Sequence, residues 1–480
     1  MLGAHSYQEW LTLAEQHDQC SGAHQWRQTA ETSLYDYREI QYRYDKLKQY
    51  LNSNASSELL YALNEGVHGN MAGMGKPVLY HQSKSGTKFL IEDYVNSIAA
   101  ALEYIHRCPE SEISAPDKSD FFRRASHCYG RSALLLSGGA GLVYFHHGMV
   151  QELIDHNLLP HVISGSSAGA IVAAQLGTLT DAELKSGYFL KKRYQEPLQT
   201  RILDILRGRI DDPAAKAARE RFLDEIVPRD LTFQQAYEKT GRYINISISP
   251  AERHQSSRLM NAISSPHVYV RSALSASIGI PGLMPAERLY ARGIDGKPRP
   301  YLETRRWLDG SLSSDLPAKR MARLYGVNHF IVSLINPMVL PFIDDIKSRD
   351  HRGLLSVFSE SSVRVIGELL VVLERVLATR GRQGRALAGQ LAYLVAMLGQ
   401  NYLGDINILL PTSAFRWRNA LFEFRSGEIE QMIQTGRRST WPKMAMIRNA
   451  ALISQTLDRI LEELQQEGLH VQKNRHMLSV

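Results

Sequence analysis

Short runs in which every position is apolar alternate, along the middle of this chain, with stretches whose apolar residues recur every three or four positions. Ala133-Leu134-Leu135-Leu136, ending at Ser137, has no polar alternation, which predicts a parallel strand covered on both faces. Val162-Ile163, the alternating Tyr243–Ile248, His329–Ile335 and Gly404–Pro411 predict further strands. Between the first two strands, Phe145, Met149, Leu153 and Ile154 mark the buried face of a helix over residues 144–157. A small-residue helix follows Ser167, Thr180-Asp181-Ala182-Glu183 has the spacing of a capping box, and Ser272–Ser277 predicts another short helix. Strands interleaved with helices in this way predict an α/β fold around a mostly parallel sheet.

The flanks carry the helical period alone. Tyr37–Leu51 and Phe89–Ile105 predict amphipathic helices, with a glycine-punctuated loop over residues 68–77 between them, where His68 is a candidate binding residue or a plain turn residue. The charged stretch Lys191–Arg229 predicts helical cover for the sheet. Residues 354–399 are helical and strongly apolar, with Arg375, Arg380, Arg382 and Arg385 between two apolar segments, and the chain from Ala414 is helical and basic. The expected organisation is a helical extension over 1–125, an α/β domain over 126–412 with a helical insertion at about 340–402, and a helical tail over 413–480.

Composition adds mainly exclusions. The chain has 480 residues, 44% of them hydrophobic, enough for a large core. Cys20, Cys108 and Cys128 are far apart and in no Cys/His cluster, so neither a disulfide framework nor a metal site is expected. The first residues lack the basic-then-apolar pattern of a secretory signal, and no run approaches twenty apolar residues, so a cytoplasmic location with peripheral membrane contact is expected. The net charge of +7 suits an anionic surface, and no nucleic-acid motif accompanies it. Residues 386–398 are too short to span a bilayer. They fit a buried hairpin or an element lying on lipid beside those arginines.

The chemistry concentrates where strands end. Gly165-Ser166-Ser167-Ala168-Gly169 places Ser167 on a tight strand-to-helix turn, with glycines two residues before and after. That spacing points to a nucleophile whose hydroxyl projects from a strained turn, at the positive end of a helix; the plainer alternative is an ordinary glycine-containing connection. Gly138-Gly139-Ala140-Gly141, after the first strand, offers free backbone amides and fits an oxyanion hole better than a nucleotide site. The dinucleotide pattern fails at Tyr144, and no Gly-Lys-Ser/Thr ending is present. Trp307-Leu308-Asp309-Gly310-Ser311 supplies an acid at an apolar strand end. Asp309 is the candidate partner of Ser167, with a turn-capping role as the alternative and Asp315, which no glycine follows, as its rival.

The order of these motifs, SGGAG, GSSAG, Ile280-Pro281-Gly282 and then DGS, resembles the patatin-like phospholipase family over roughly residues 132–335. Trp10, Trp26, Leu34-Tyr35-Asp36-Tyr37, His68-Gly69-Asn70, Ser85-Gly86-Thr87-Lys88, Gly404-Asp405-Ile406 and Thr440-Trp441-Pro442 are similar to the members with an N-terminal extension, the eukaryotic lipid-droplet triacylglycerol lipases. The resemblance implies a three-layer α/β/α sandwich and a serine acyl-ester hydrolase with a Ser–Asp dyad and no cofactor. Ser167 would be its nucleophile, Asp309 its general base, and the Gly138, Gly139 and Ala140 backbone its oxyanion hole, with Gly165, Gly169 and Gly310 as motif glycines. The implied substrates are triacylglycerols, phospholipids or lysophospholipids, met at a membrane or lipid-droplet surface. The chain departs from the family pattern at Val143, where a glycine is usual.

A dyad of this kind needs a desolvated carboxylate hydrogen-bonded to the serine, because a carboxylate in water is a weaker base than imidazole. Three alternatives stand beside it: an acyltransferase, in which an alcohol replaces water; a Ser-His-Asp hydrolase using His329 or His351; and a silent lipid-binding scaffold. Composition and spacing leave the oligomeric state open.

Overall fold

The computed structural model describes residues 3–187, 213–252, 256–279, 286–311, 315–340, 402–420 and 424–478. The expectations for residues 191–212, Ile280-Pro281-Gly282, Met284-Pro285, His351 and the apolar stretch 354–399 lie outside them. The chain falls into two compact units, one made of residues 1–132, 325–329 and 441–480, the other of 133–324 and 330–440.

The first unit is helical. Its N-terminal part runs α1 (Tyr7–Ser21), α2 (Ala23–Gln28), α3 (Tyr37–Ser53), α4 (Ser56–Gly66), α5 (Phe89–Arg107) and α6 (Ala115–Tyr129). Along α5, Leu90, Ile91, Tyr94, Val95, Ile98, Ala101, Leu102 and Ile105 are all buried, and their spacing of three and four residues is what makes the segment one packed helix. The long Met444–Leu478 helix packs on α5 and α6, and Trp441 joins Ala4, Trp10 and Ala14 in one apolar cluster. Polar staples close the unit: Asp18, buried, accepts from the backbone amides of Lys84 and Ser85, and Lys88 donates to the Trp26 and Thr29 carbonyls, both at 2.6 Å. The residues after 413 are thus divided, those from Trp441 on lying with the N-terminal helices.

The second unit is built on a seven-stranded sheet with strand order β4-β3-β2-β1-β8-β9 and β7 added to β3. The strands are β1 (Arg131–Leu136), β2 (Val162–Gly165), β3 (Tyr243–Pro250), β4 (Arg258–Met260), β7 (Trp307–Asp309), β8 (Val327–Leu334) and β9 (Ile406–Leu409). β1 pairs with β2, β2 with β3 and β8 with β9 in parallel, while β4 and β7 run antiparallel to β3. Between β1 and β2 runs α7 (Val143–Asp155), and after β2 comes α8 (Ala168–Thr178), each completely or almost completely buried. α8 is apolar all round because it is enclosed on every side, as a helix lacking a polar face must be.

Two features depart from what periodicity predicts. β5 (Leu289–Arg292) and β6 (Pro298–Tyr301) form a separate antiparallel hairpin with Ile294 fully exposed at its tip. Where the chain enters and leaves this excursion, Glu287 and Trp307 exchange two backbone hydrogen bonds of 2.8 Å. The other feature is the Glu428–Thr440 helix, part of the basic stretch after Ala414, which packs along α7. A Cβ on Gly148 would lie 1.9 Å from the Ile433 carbonyl oxygen, and one on Gly436 would lie 2.1 Å from the Phe145 carbonyl oxygen, so the two backbones cross in contact. Arg437 from this helix pairs with the buried Glu152 at 2.7 Å and with Asp155 at 3.0 Å, which takes it out of the solvated face.

Candidate active site

Three loops meet at the carboxyl ends of β1, β2 and β7. β1 and β2 are adjacent and parallel, with Leu136 opposite Gly165, so the turns that follow them leave the sheet side by side. The first carries Gly138-Gly139-Ala140 and the second carries Ser167.

Ser167 stands between β2 and α8 with φ +51° and ψ −117°, a backbone conformation that L-residues rarely adopt. Its surroundings explain the glycines on either side. A Cβ on Gly165 would lie 2.2 Å from the Gly169 carbonyl oxygen, and one on Gly169 would lie 2.1 Å from the Leu136 carbonyl oxygen. The Ser167 amide donates to Ser277 Oγ at 3.1 Å, and Ser277 Oγ donates to the Ser247 carbonyl at 2.8 Å, so the turn is tied to β3. The eleven residues of α8 begin at Ala168, so the positive end of the helix lies at the serine.

Asp309 reaches Ser167 through strand register. On β3, Ile246 is opposite both Gly165 of β2 and Met260 of β4, while Ile248 is opposite both Arg258 of β4 and Asp309 of β7. β7 therefore takes up the edge of β3 that β2 leaves, and Asp309 stands two β3 residues, about 7 Å, beyond Gly165. The Ser167 hydroxyl is near enough to the Asp309 carboxyl to favour its anion. Burial pushes the Asp309 carboxyl up to about 7, against Ser311 and Ser167, which favour the anion. The turn-capping alternative also holds, since the Ser311 amide donates to Asp309 Oδ1 at 2.9 Å. Gly310 permits the turn: a Cβ there would lie 2.2 Å from the Ser247 carbonyl oxygen.

The glycine loop lies close against the serine. A Cβ on Gly138 would sit 3.2 Å from Ser167 Cβ and the same distance from Ser311 Cβ. Its amide is already engaged, donating to Asp315 Oδ1 at 2.8 Å, which corrects its expected place among the anion donors. Gly139 and Ala140 follow with amides that have no acceptor among the described residues, and Ala140 is held at φ +49°. Val143, at the departure from the family pattern, has φ −47° and ψ −31°, right-handed helical backbone that any side chain adopts. Its buried side chain belongs to the core.

Two residues at this edge take roles that the sequence does not show, where Asp315 reads only as a rival of Asp309. Asp315 accepts from the Gly138 amide, from the Ser166 hydroxyl and, at 3.2 Å, from Asn336 Nδ2. Burial, the largest influence, raises its carboxyl, and these three donors are among the groups that work against it. His146 is fully buried behind the loop: its Nε2–H donates to the Ser137 carbonyl at 2.9 Å and its Nδ1 accepts from Ser333 Oγ at 2.8 Å. Burial takes its imidazole down to about 3, so it is a neutral support. The only hint of it was its place on the first helix after the glycine loop. His329, a candidate third member of a triad, lies near the amino end of β8, bonded to Ser132 Oγ near the amino end of β1 at 3.2 Å, away from the strand ends that carry Ser167. His68 and its loop belong to the first unit.

Comparison with known proteins follows this division. Residues 134–322 match the family model described as patatin-like phospholipase, and residues 1–127 match a domain of unknown function. Over 97% of its length the chain is 29% identical to triacylglycerol lipase SDP1L of Arabidopsis thaliana, and over 93% it is 29% identical to triacylglycerol lipase 4 of Saccharomyces cerevisiae. It spans 58% and 50% of those two proteins. A patatin-like phospholipase domain-containing protein of Aspergillus terreus is 30% identical over 96% of this chain and 68% of its own length.

Proposed function

The chain belongs to the patatin-like phospholipase family, and on that premise we propose that it hydrolyses the acyl esters of lipids, with Ser167 as nucleophile and Asp309 as general base. The observation that carries the reading is the strand register that brings the Ser167 turn beside Asp309, a carboxylate buried enough to hold a proton near neutral pH. As Ser167 Oγ attacks the ester carbonyl carbon, its proton passes to Asp309 and the carbonyl oxygen becomes an oxyanion. The Gly139 and Ala140 amides, which have no acceptor among the described residues, and the first turn of α8 are the donors proposed to stabilise that charge. Collapse of the adduct breaks the bond to the alcohol, which leaves with the proton from Asp309. Water then attacks the acyl-serine, gives a proton to Asp309, and releases the fatty acid as that proton returns to Ser167.

Triacylglycerols head the proposed substrates, because relatives aligned along nearly the whole chain are named triacylglycerol lipases; phospholipids and lysophospholipids complete the class. Such esters are insoluble, so the same proposal places the enzyme peripherally on a membrane or lipid-droplet surface, facing the cytoplasm. Among the described residues no helix is long and apolar enough to cross a membrane.

The test is a panel of emulsified triacylglycerol, phospholipid, lysophospholipid and a soluble nitrophenyl ester, run on the full chain and on Ser167→Ala. Turnover by wild type with a loss of about 10³-fold or more in the variant is expected. Comparable turnover by a folded Ser167→Ala protein rejects the assignment.

A further inference from the structure

Asp315 is a fully buried carboxylate six residues after the one that faces Ser167, and it accepts hydrogen bonds from neutral groups in three places. Those donors are informative. The Gly138 amide belongs to the glycine loop, the Ser166 hydroxyl to the residue preceding the nucleophile, and the Asn336 amide to the segment just after β8. One carboxylate thus gathers three chain segments that arrive from separate strands. Two of its donors, Gly138 and Ser166, share the single oxygen Oδ1, so the glycine loop and the serine turn are tied at one point.

We propose that Asp315 is a positioning residue, whose carboxylate fixes the spacing between the glycine loop and Ser167 so that the Gly139 and Ala140 amides address an oxyanion formed at the serine. This rests on the reading of Ser167 as nucleophile. Gly138 is used up as the anchor and does not itself hold the substrate's oxygen. The site then contains two buried carboxylates with separate tasks: Asp309 exchanges a proton with Ser167, and Asp315 holds backbone. Misplacement of reacting groups by about 1 Å can cost about 10²-fold in rate, which sets the size of the expected effect.

The test compares Asp315→Ala, Asp315→Asn, Ser166→Ala and Asp309→Asn on a soluble nitrophenyl ester, with kcat and KM separated and folding followed by circular dichroism. Asp315→Ala should lower kcat by about 100-fold with little change in KM. Asp315→Asn keeps an oxygen for Gly138 and Ser166 and should stay within about fivefold of wild type, whereas Asp309→Asn should lose about 10³-fold or more. A folded Asp315→Ala protein with wild-type kcat overturns the proposal. So does Asp315→Asn falling as far as Asp309→Asn, because that would make Asp315 a proton acceptor. If Asp315→Ala does not fold, Ser166→Ala decides: it cuts one tie at unchanged melting temperature, a fall of about tenfold in kcat supports the proposal and an unchanged kcat overturns it. Absence of turnover by wild type, or by wild type and Ser167→Ala alike, marks instead the failure of the hydrolase reading.

Discussion

The Ser167 hydroxyl favours the anion of the neighbouring Asp309 carboxyl inside the protein, with the two residues 8% and 3% exposed. Burial is the largest influence on Asp309 and takes its carboxyl up to about 7. A general base must be ionised to accept the serine proton, so kcat/KM on a soluble ester should rise with pH through about 7 and level off above it. Asp309→Asn should remove the step and leave a low, flat profile. A wild-type profile flat from about pH 5 to 8 would speak against Asp309 as the base.

The same carboxyl opposes folding at neutral pH. In the unfolded chain it titrates at its ordinary 3.8, and in the native state it keeps its proton up to about 7. Between those values the native state binds more protons, so this group's contribution to stability falls as pH rises and is fully lost above about 7. Asp309→Asn abolishes the penalty, and its melting temperature should exceed that of wild type at alkaline pH by an amount equivalent to a few kcal/mol at most, on the order of 1.4 kcal/mol for each tenfold difference in proton affinity between the two states. The gap should close toward pH 4. Thermal melts of both proteins across that range decide it, and a variant less stable than wild type at pH 8 would contradict the sign.

At the crossing of α7 with the Glu428–Thr440 helix, neither glycine has room for a methyl group, and both obstacles are backbone oxygens, which cannot rotate away. Gly148→Ala and Gly436→Ala each gain about 1 kcal/mol of helix propensity. Forcing two packed backbones apart costs more, and a net loss of about 1–3 kcal/mol is expected for each. Because both changes open the same crossing, the double variant should lose less than the sum. Urea midpoints of the four proteins measure this, and unchanged midpoints would show that the helices part freely.

Legibility in the sequence followed the range of each interaction. The turn at Ser167 was readable because its constraints are local: the glycines at 165 and 169 flank it by two residues on each side. Asp309 was readable as an acid after an apolar strand end, but the register through β3 that brings it to Ser167 was not, since β7 has three residues and no period to detect. The engagement of Gly138 by a carboxylate 177 positions away leaves no local mark. Neither does the buried Glu152 that pairs with Arg437. For the same reason the basic residues after 413 read as one helical tail, while glycine in a helix, which sequence reasoning scores as a weakness, was the sign of a close crossing.

The hydrogen-bonded pair Glu287–Trp307 makes the β5–β6 hairpin a stem whose base is closed where the chain enters β7. The exposed tip of the hairpin lies beyond that closure, away from Asp309 along the chain. The tip between Asp295 and Gly296 is therefore a place to graft a fluorophore-binding peptide or an affinity tag. A protein carrying such an insertion should keep the kcat of the parent, and a marked loss of kcat would mean that the stem, and not only the sheet, holds the acid in place.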